Sequence, residues 1–348
     1  MKKFIVWLIL ISLLLLSGIT YFAWTKINEI EELTLNLSST IEFEVPPGIS
    51  LYKVVNELQK HANINKTGFK LWLKLHPEYQ TIKSGLYEIP ANSRFVDVIA
   101  LFAKGTVKQF SITLIEGLTI YQWLEALSNS RGLYHDIDNA DALYTQLKVT
   151  ETSFCANSFA SIEGCLLPDT YFYTHGTKTS QILKRSYRAM DTYLQDVWPS
   201  RFKDIPIKTA YEALILASII EKETAIESER SEIAGVFVNR LNKNMRLQTD
   251  PTVIYGIGKE FDGNITRKHM RTPTPYNTYV IKGLPITPIA MPNKASIQAA
   301  LFPALTDSLY FVATGNGGHQ FSSNLADHNK ALKQYLKQLK LNNADNSN

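Results

Sequence analysis

Two acids stand at the end of an apolar run, in Ile219-Ile220-Glu221-Lys222-Glu223. A carboxylate costs free energy to bury unless it is paired or put to use. The preceding residues Leu214, Ile215, Leu216, Ala217, Ile219 and Ile220 are apolar on every side of a helix, which marks that helix as buried. Desolvation at its end favours the protonated form of an acid, and so does the negative end of the helix dipole if the helix stops near Thr224. A carboxylic acid kept protonated near neutral pH can donate to a leaving oxygen, which is what breaking a glycosidic bond requires. Glu221 and Glu223 are about 200° apart on a helix, so both cannot enter one cleft. Ala217 and Ser218, one turn before Glu221, are small and leave room for a ligand; Ile219 and Ile220, one turn before Glu223, call for packing. Glu221 is therefore the preferred acid, with Ser218 and Glu223 as candidate binding groups. The competing reading places both acids in ion pairs with Lys222 and Arg230.

Neutral polar groups come next. Gln248-Thr249-Asp250-Pro251-Thr252 and Pro275-Tyr276-Asn277-Thr278-Tyr279 supply amides, hydroxyls and aromatic faces suited to sugar hydroxyls, N-acetyl groups and sugar rings. Gln248, Thr249, Asp250, Tyr276, Asn277 and Thr278 are the candidate substrate contacts. Asp250 reads as well as a plain N-cap, with Pro251 at the first helical position. His319, after Gly315-Asn316-Gly317-Gly318, either lines a cleft or serves the fold, and His328 reads as structural. There is no HExxH, no phosphate-binding or dinucleotide glycine pattern and no Ser-His-Asp order. No metal and no cofactor are expected. Cys155 and Cys165 lack the companions of a metal site; they form a disulfide if the domain lies outside the cytoplasm, or remain two thiols.

The elements that must position these groups start with an anchor. The chain has 348 residues, 45% hydrophobic and 20% charged, a globular composition with room for two modest domains. Its formal charge of +4 comes without a dense Lys/Arg block, which argues against nucleic acid and suits an anionic polymer such as a cell wall. Phe4 to Trp24 carries no charge and is long enough to span a bilayer, which takes about 20 residues. Lys2 and Lys3 precede it, and Glu29, Glu31 and Glu32 follow. The bias puts residues 1–3 in the cytoplasm, residues 4–24 across the plasma (inner) membrane and the rest outside. No small-residue cleavage site follows, and Leu16-Ser17-Gly18-Ile19 lacks the Cys of a lipoprotein signal, so the anchor is expected to stay.

Residues 25–40 read as a polar linker. Glu44-Val45-Pro46-Pro47-Gly48-Ile49-Ser50-Leu51-Tyr52 recurs as Thr113-Leu114-Ile115-Glu116-Gly117-Leu118-Thr119-Ile120-Tyr121, and a degenerate third copy starts at Tyr87 with Asn92 in its turn. Each copy reads as strand, turn, N-cap and amphipathic helix, and Thr119 with Gln122 fits a capping box. The unit resembles a LysM-type glycan-binding module, which makes residues 41–128 a LysM-like region; an ordinary strand–turn–helix element is the alternative. Residues 129–205 connect it to a domain over 206–332. There Thr209 and Glu212 start a helix, Ser228 caps another, 272–292 is a proline-rich ordered loop, and Leu309–Ala313 is a strand. The last helix is expected over Leu325–Leu341, and 333–348 is its end with a frayed tail.

Taken in order, Ala217-Ser218-Ile219-Ile220-Glu221-Lys222-Glu223-Thr224, Val238-Asn239-Arg240-Leu241, Arg246 to Gly256, Thr274 to Tyr279, Gly283-Leu284-Pro285, Gly164 with Pro168-Asp169-Thr170-Tyr171, and Gly317-Gly318-His319 with Phe321 closely resemble the endolytic murein transglycosylase family (MltG or YceG-like). The likeness covers about residues 40–332 and the anchor. It implies an α+β fold: a single transmembrane helix, a LysM-like subdomain and a mixed α+β catalytic domain with a lysozyme-like active-site arrangement. The family's catalytic glutamate is the first acid of the Glu-Lys-Glu triplet and carries over onto Glu221. The implied reaction is a lyase step on nascent peptidoglycan beside the peptidoglycan synthases, leaving 1,6-anhydro-N-acetylmuramic acid ends. Cys165-Leu166-Leu167 departs from the bulkier aromatics of the pattern. The rival readings are a muramidase, a hydrolase pairing Glu221 with Asp250, and a non-catalytic glycan-binding scaffold.

Overall fold

The computed structural model describes residues 2–137, 139–315 and 317–345. The fold is mixed α and β, and the chain divides into two compact units. One runs to Phe110 and takes in Phe172–Thr177; the other holds Ser111–Tyr171 and the chain from Lys178 onward.

The first unit opens with α1 (Lys2–Glu31), the one helix among the described residues long and apolar enough to cross a membrane. The helix does not stop with its apolar run. Thr25–Glu31 contains neither Gly nor Pro, and Ile27 and Ile30 share a face, so the helix continues and packs that face into the core. Leu35 and Leu37 are buried there too, and Leu35 N bonds Ser93 O. Residues 25–40 are thus a helix end and a strap across the core, not the polar linker expected. Leucines placed singly among polar residues do not show in a composition average.

β1 (Ile41–Val45) turns through Gly48 (φ +76) into α2 (Leu51–Leu58). After α3 (Lys66–Leu75), β2 (Gly85–Ile89) pairs antiparallel with β1, Phe43 opposite Tyr87. Asn92 (φ +54) then turns the chain into α4 (Phe95–Lys104). Val54, Leu58, Phe69, Trp72, Tyr87, Ile89, Phe95, Ile99 and Phe102 fill the core between sheet and helices, each contributing about 1.5–3 kcal/mol by burial.

Further along the chain the same local form recurs. β3 (Gln109–Leu114) turns through Gly117 into α5 (Ile120–Ser128), and the Thr119–Gln122 capping box is present. β4 (Leu133–Tyr134) and α6 (Leu143–Gln146) follow, then β5 (Asp169–Thr174), which pairs with β3. Because β3 bonds β5 and not β1 or β2, the second copy of the repeat lies in a different sheet from the first. After β6 (Thr177–Lys178), α7 (Thr179–Val197) buries Ile182, Leu183, Met190 and Leu194.

α8 (Ala210–Glu223) starts at the Thr209–Glu212 capping box and is buried from Ala213 to Ile220. α9 (Arg230–Asn242) follows a 3₁₀ turn, Glu227–Glu229, so Ser228 sits within that turn and does not cap the helix. α10 (Asp250–Ile257) has Thr249 at its N-cap position and Asp250 as its first helical residue, one position off the expectation. α11 (Arg267–Arg271) precedes the proline-rich segment, and α12 (Lys294–Leu301) packs against α8 and α9. β7 (Tyr310–Ala313) and β8 (His319–Ser322) form a hairpin covered by α13 (Leu325–Asp345). Asn316 and the residues beyond Asp345, on which the expected glycine turn and frayed end partly fall, lie outside the described residues.

Candidate active site

α8 delivers Glu221 and Glu223 to its last turn and ends at Thr224, whose backbone is extended (φ −146, ψ 137). Glu221 Oε2 accepts a 2.9 Å bond from Asn293 N, and Arg230 Nη2 lies 3.7 Å from Oε1. The Glu221 side chain is 4% exposed. Asn293 is the N-cap of α12, fixed by Ser296 N on its own Oδ1, so the donor to Glu221 is a positioned backbone group. Arg230 Nε is buried and has no hydrogen-bond partner among the described residues. Between the two acids Lys222 Nζ donates to Gly117 O at 3.1 Å. Gly117 has φ +71, and a Cβ there would stand 3.8 Å from Glu221 Cγ, so the β3–α5 turn lies directly against the acid.

Glu223 points to the other side, as its spacing requires. It accepts a bond from Thr249 Oγ1. Burial pushes its carboxyl up, the Thr249 bond pulls it down, and Asp250 adds to the rise. Nearby, Glu229 takes His319 Nδ1 at 2.8 Å and His319 N at 2.8 Å, which ties the β7–β8 turn to the start of α9. Against the effect of burial, those bonds hold the Glu229 carboxyl below its ordinary range.

The remaining expected contacts separate into two kinds. Ser218, Thr249, Asn277 and Thr278 are buried, and their polar atoms are taken by the protein itself. Ser218 Oγ donates to Ile215 O and accepts from Ile289 N, so the space beside Ala217 and Ser218 is filled by the 287–293 segment and not left open. Thr249 N donates to Thr278 Oγ1, which is 2.8 Å from Thr252 Oγ1. Asn277 Nδ2 donates to His269 O, Met270 O and Thr272 O, tying down the loop after α11. Gln248 and Asp250 are exposed, and Asp250 Oδ1 accepts from Tyr279 Oη at 2.7 Å. Tyr276 is half-buried, edge-on to Tyr255, with its hydroxyl 3.0 Å from Thr287 Oγ1.

The residues not anticipated are Asn293, Gly117 and Glu163. Asn293 acts through its backbone N–H, which every residue type but proline carries, and Gly117 lies against Glu221 although 104 positions away in the chain, a proximity visible only in three dimensions. Glu163 is 1% exposed and accepts from Ile120 N and Tyr255 Oη. The one available signal was a lone acid in the otherwise apolar Ile162-Glu163-Gly164-Cys165-Leu166-Leu167. Two residues on, Cys165 is joined to Cys155 in a disulfide, which resolves the choice the sequence left open. Among the described residues no group of three His, Cys, Asp or Glu side chains is placed to hold a metal ion. Two cavities, of about 540 and 850 Å³, are lined by Ile49–Tyr52 with Lys70 and Lys74, and by Glu212 and Ile215 at the opposite end of α8; neither includes Glu221.

The chain is similar to several known proteins. A Bacillus subtilis (strain 168) protein named endolytic murein transglycosylase is 31% identical over 337 residues, covering 93% of this chain and 91% of that protein. A Streptococcus pneumoniae protein of the same name is 26% identical over 94% of this chain, which spans 64% of its length. The crystal structure of a yceG-like protein from Listeria monocytogenes covers 84% of this chain and 98% of its own, with a TM-score of 0.55 and 29% identity. The YceG-like family matches residues 43–334, which takes in α8, the β3–α5 turn and every segment that touches Glu221. The chain therefore belongs to the YceG-like family.

Proposed function

We propose that the chain is an endolytic murein transglycosylase. It cuts the bond between N-acetylmuramic acid and N-acetylglucosamine within nascent peptidoglycan, with Glu221 as its single acid and base. The observation that carries this reading is the Glu221 carboxyl, held at the end of a buried helix by a backbone N–H and faced by Arg230. Glu221 protonates the glycosidic oxygen. The resulting carboxylate then takes the proton of the muramic C6 hydroxyl as that oxygen attacks C1. The C1–O bond to the leaving sugar breaks, the C6–O–C1 ring closes, and no water is consumed. Asn293 N and Arg230 are placed to stabilise the charge on Glu221 between the two transfers.

Ser218, Thr249, Asn277 and Thr278 support the walls, whereas Gln248, Asp250 and Tyr276 are the groups offered to sugar. Burial keeps Glu223 inclined to its neutral form beside Thr249. In the first unit, the Ser50, Tyr52 and Thr81 cavity has the hydroxyls and aromatic ring of a LysM-like glycan groove. Loss of peptidoglycan pull-down by full-length Tyr52→Ala is the expected result; unchanged retention removes that role. α1 serves as an uncleaved anchor with the N-terminus cytoplasmic and the chain that follows the span outside, beside the peptidoglycan synthases.

The test is digestion of purified glycan strands followed by mass spectrometry of the product ends. The reading expects 1,6-anhydro ends, lighter by one water. Reducing ends that carry oxygen from labelled water, together with an inactive Asp250→Asn protein, would move the assignment to a muramidase.

A further inference from the structure

Glu163 is a buried acid with no part in the chemistry proposed above. Ile120 N donates to its carboxyl at 3.1 Å (Oε1) and 3.3 Å (Oε2), and Tyr255 Oη donates at 3.2 Å to Oε2. The titratable groups that face it, Tyr255, Tyr121 and Tyr211, are neutral phenols, and no basic side chain pairs with it among the described residues. Burying a carboxyl without a cation destabilises the fold, and a hydrophobic side chain would avoid that cost.

What the acid holds gives the reason. Ile120 starts α5 directly after the turn whose Gly117 abuts Glu221 and accepts from Lys222. That turn is also bonded to Met291, through Gly117 N to Met291 O and Met291 N to Leu118 O. Gly164, next to the acid, is packed so closely on Pro288 that a side chain there would collide with it, and Pro288 and Met291 belong to the segment that ends at Asn293, the donor to Glu221. Tyr255 stands on α10, whose N-cap Thr249 binds Glu223. Three walls of the site converge on one carboxyl.

We propose that Glu163 is a positioning residue for the cleavage reaction, holding the Gly117 turn and the segment before Asn293 in register against Glu221. The inference rests on Glu221 being the acid. A glutamine at 163 keeps the shape but offers one acceptor oxygen to two donors and brings two N–H groups that find no acceptor. An alanine leaves both donors unpaired.

The experiment uses the full-length protein in detergent micelles: wild type, Glu163→Gln, Glu163→Ala, Tyr255→Phe and Glu221→Gln. Anhydro ends released from glycan strands give kcat and KM, and melting curves give the folded fraction. Per folded molecule, kcat is expected to fall about 10- to 100-fold in Glu163→Ala and less in Glu163→Gln and Tyr255→Phe, with KM changed by less than about twofold. If Glu163→Ala does not fold, the other two carry the test. Wild-type kcat in folded Glu163→Gln and Tyr255→Phe, or a loss confined to KM, overturns the positioning role. If Glu221→Gln is inactive while those variants match wild type, this inference fails alone; if Glu221→Gln cleaves, the acid assignment falls and the positioning role with it.

Discussion

Glu163→Gln also isolates the pH dependence of one buried group. Burial, opposed by the bonds from Ile120 N and Tyr255, pushes the Glu163 carboxyl up from the ordinary 4.5 to about 8. Between those values the folded chain keeps a proton that the unfolded chain has lost. Stability associated with the neutral acid is therefore fully present below pH 4.5 and is lost as the pH rises through 8. At about 1.36 kcal/mol per pH unit, the loss across that window reaches about 5 kcal/mol at most. Glutamine carries no titrating proton and escapes it. The melting temperature of Glu163→Gln relative to wild type should thus rise steadily from pH 5 to pH 8, by roughly 2–4 °C per kcal/mol. Scanning calorimetry at unit pH steps measures it, because subtracting the two proteins at each pH cancels every other titrating group. The shift belongs in the transition of the unit that contains residue 163. A difference that stays flat from pH 5 to 8 refutes the reasoning, since Glu163 would then be ionised in the fold or reached by water.

Other outcomes follow from the same geometry. Glu221→Gln should melt like wild type and lose about 10²- to 10⁴-fold in release of anhydro ends; retention of more than about a tenth of the rate counts against the general acid. Ser218→Ala leaves Ile289 N without its partner and should cost about 1–3 kcal/mol of stability, read as a lower denaturant midpoint with KM unchanged. Replacing Cys155 and Cys165 together by serine should lower stability by about 2–3 kcal/mol, and an equal melting curve would show that the bridge constrains nothing. A reporter fused after Asn348 should be active only outside the cytoplasm, and a mature protein beginning near Lys26 would argue for a cleaved signal in place of an anchor.

What could be read from the chain follows the range of the forces involved. The start of α8 was legible because the Thr209–Glu212 capping box acts within one turn, and its burial because apolar side chains on all faces leave no solvent side. The divergence of Glu221 and Glu223 followed from helix geometry alone. The start of α9 was displaced because a 3₁₀ turn competes for the same residues, Glu227–Glu229, and nothing local decides between that turn and a Ser228 cap. Where the partner is remote, residue type misleads. Ser218 looks like space for a ligand until Ile289 fills it, and Asn277 looks like a sugar contact until three carbonyls claim its amide. Leu35 and Leu37, single leucines in a polar stretch, join a core built from α2, α3 and α4. Glu163 is the extreme case, because its partners are a backbone N–H at Ile120 and a phenol at Tyr255, neither marked by sequence. An acid at the end of an apolar helix announces chemistry because its own helix supplies the contradiction. An acid inside an irregular segment announces nothing until the fold shows which walls it joins, and in this chain those walls meet at Glu221.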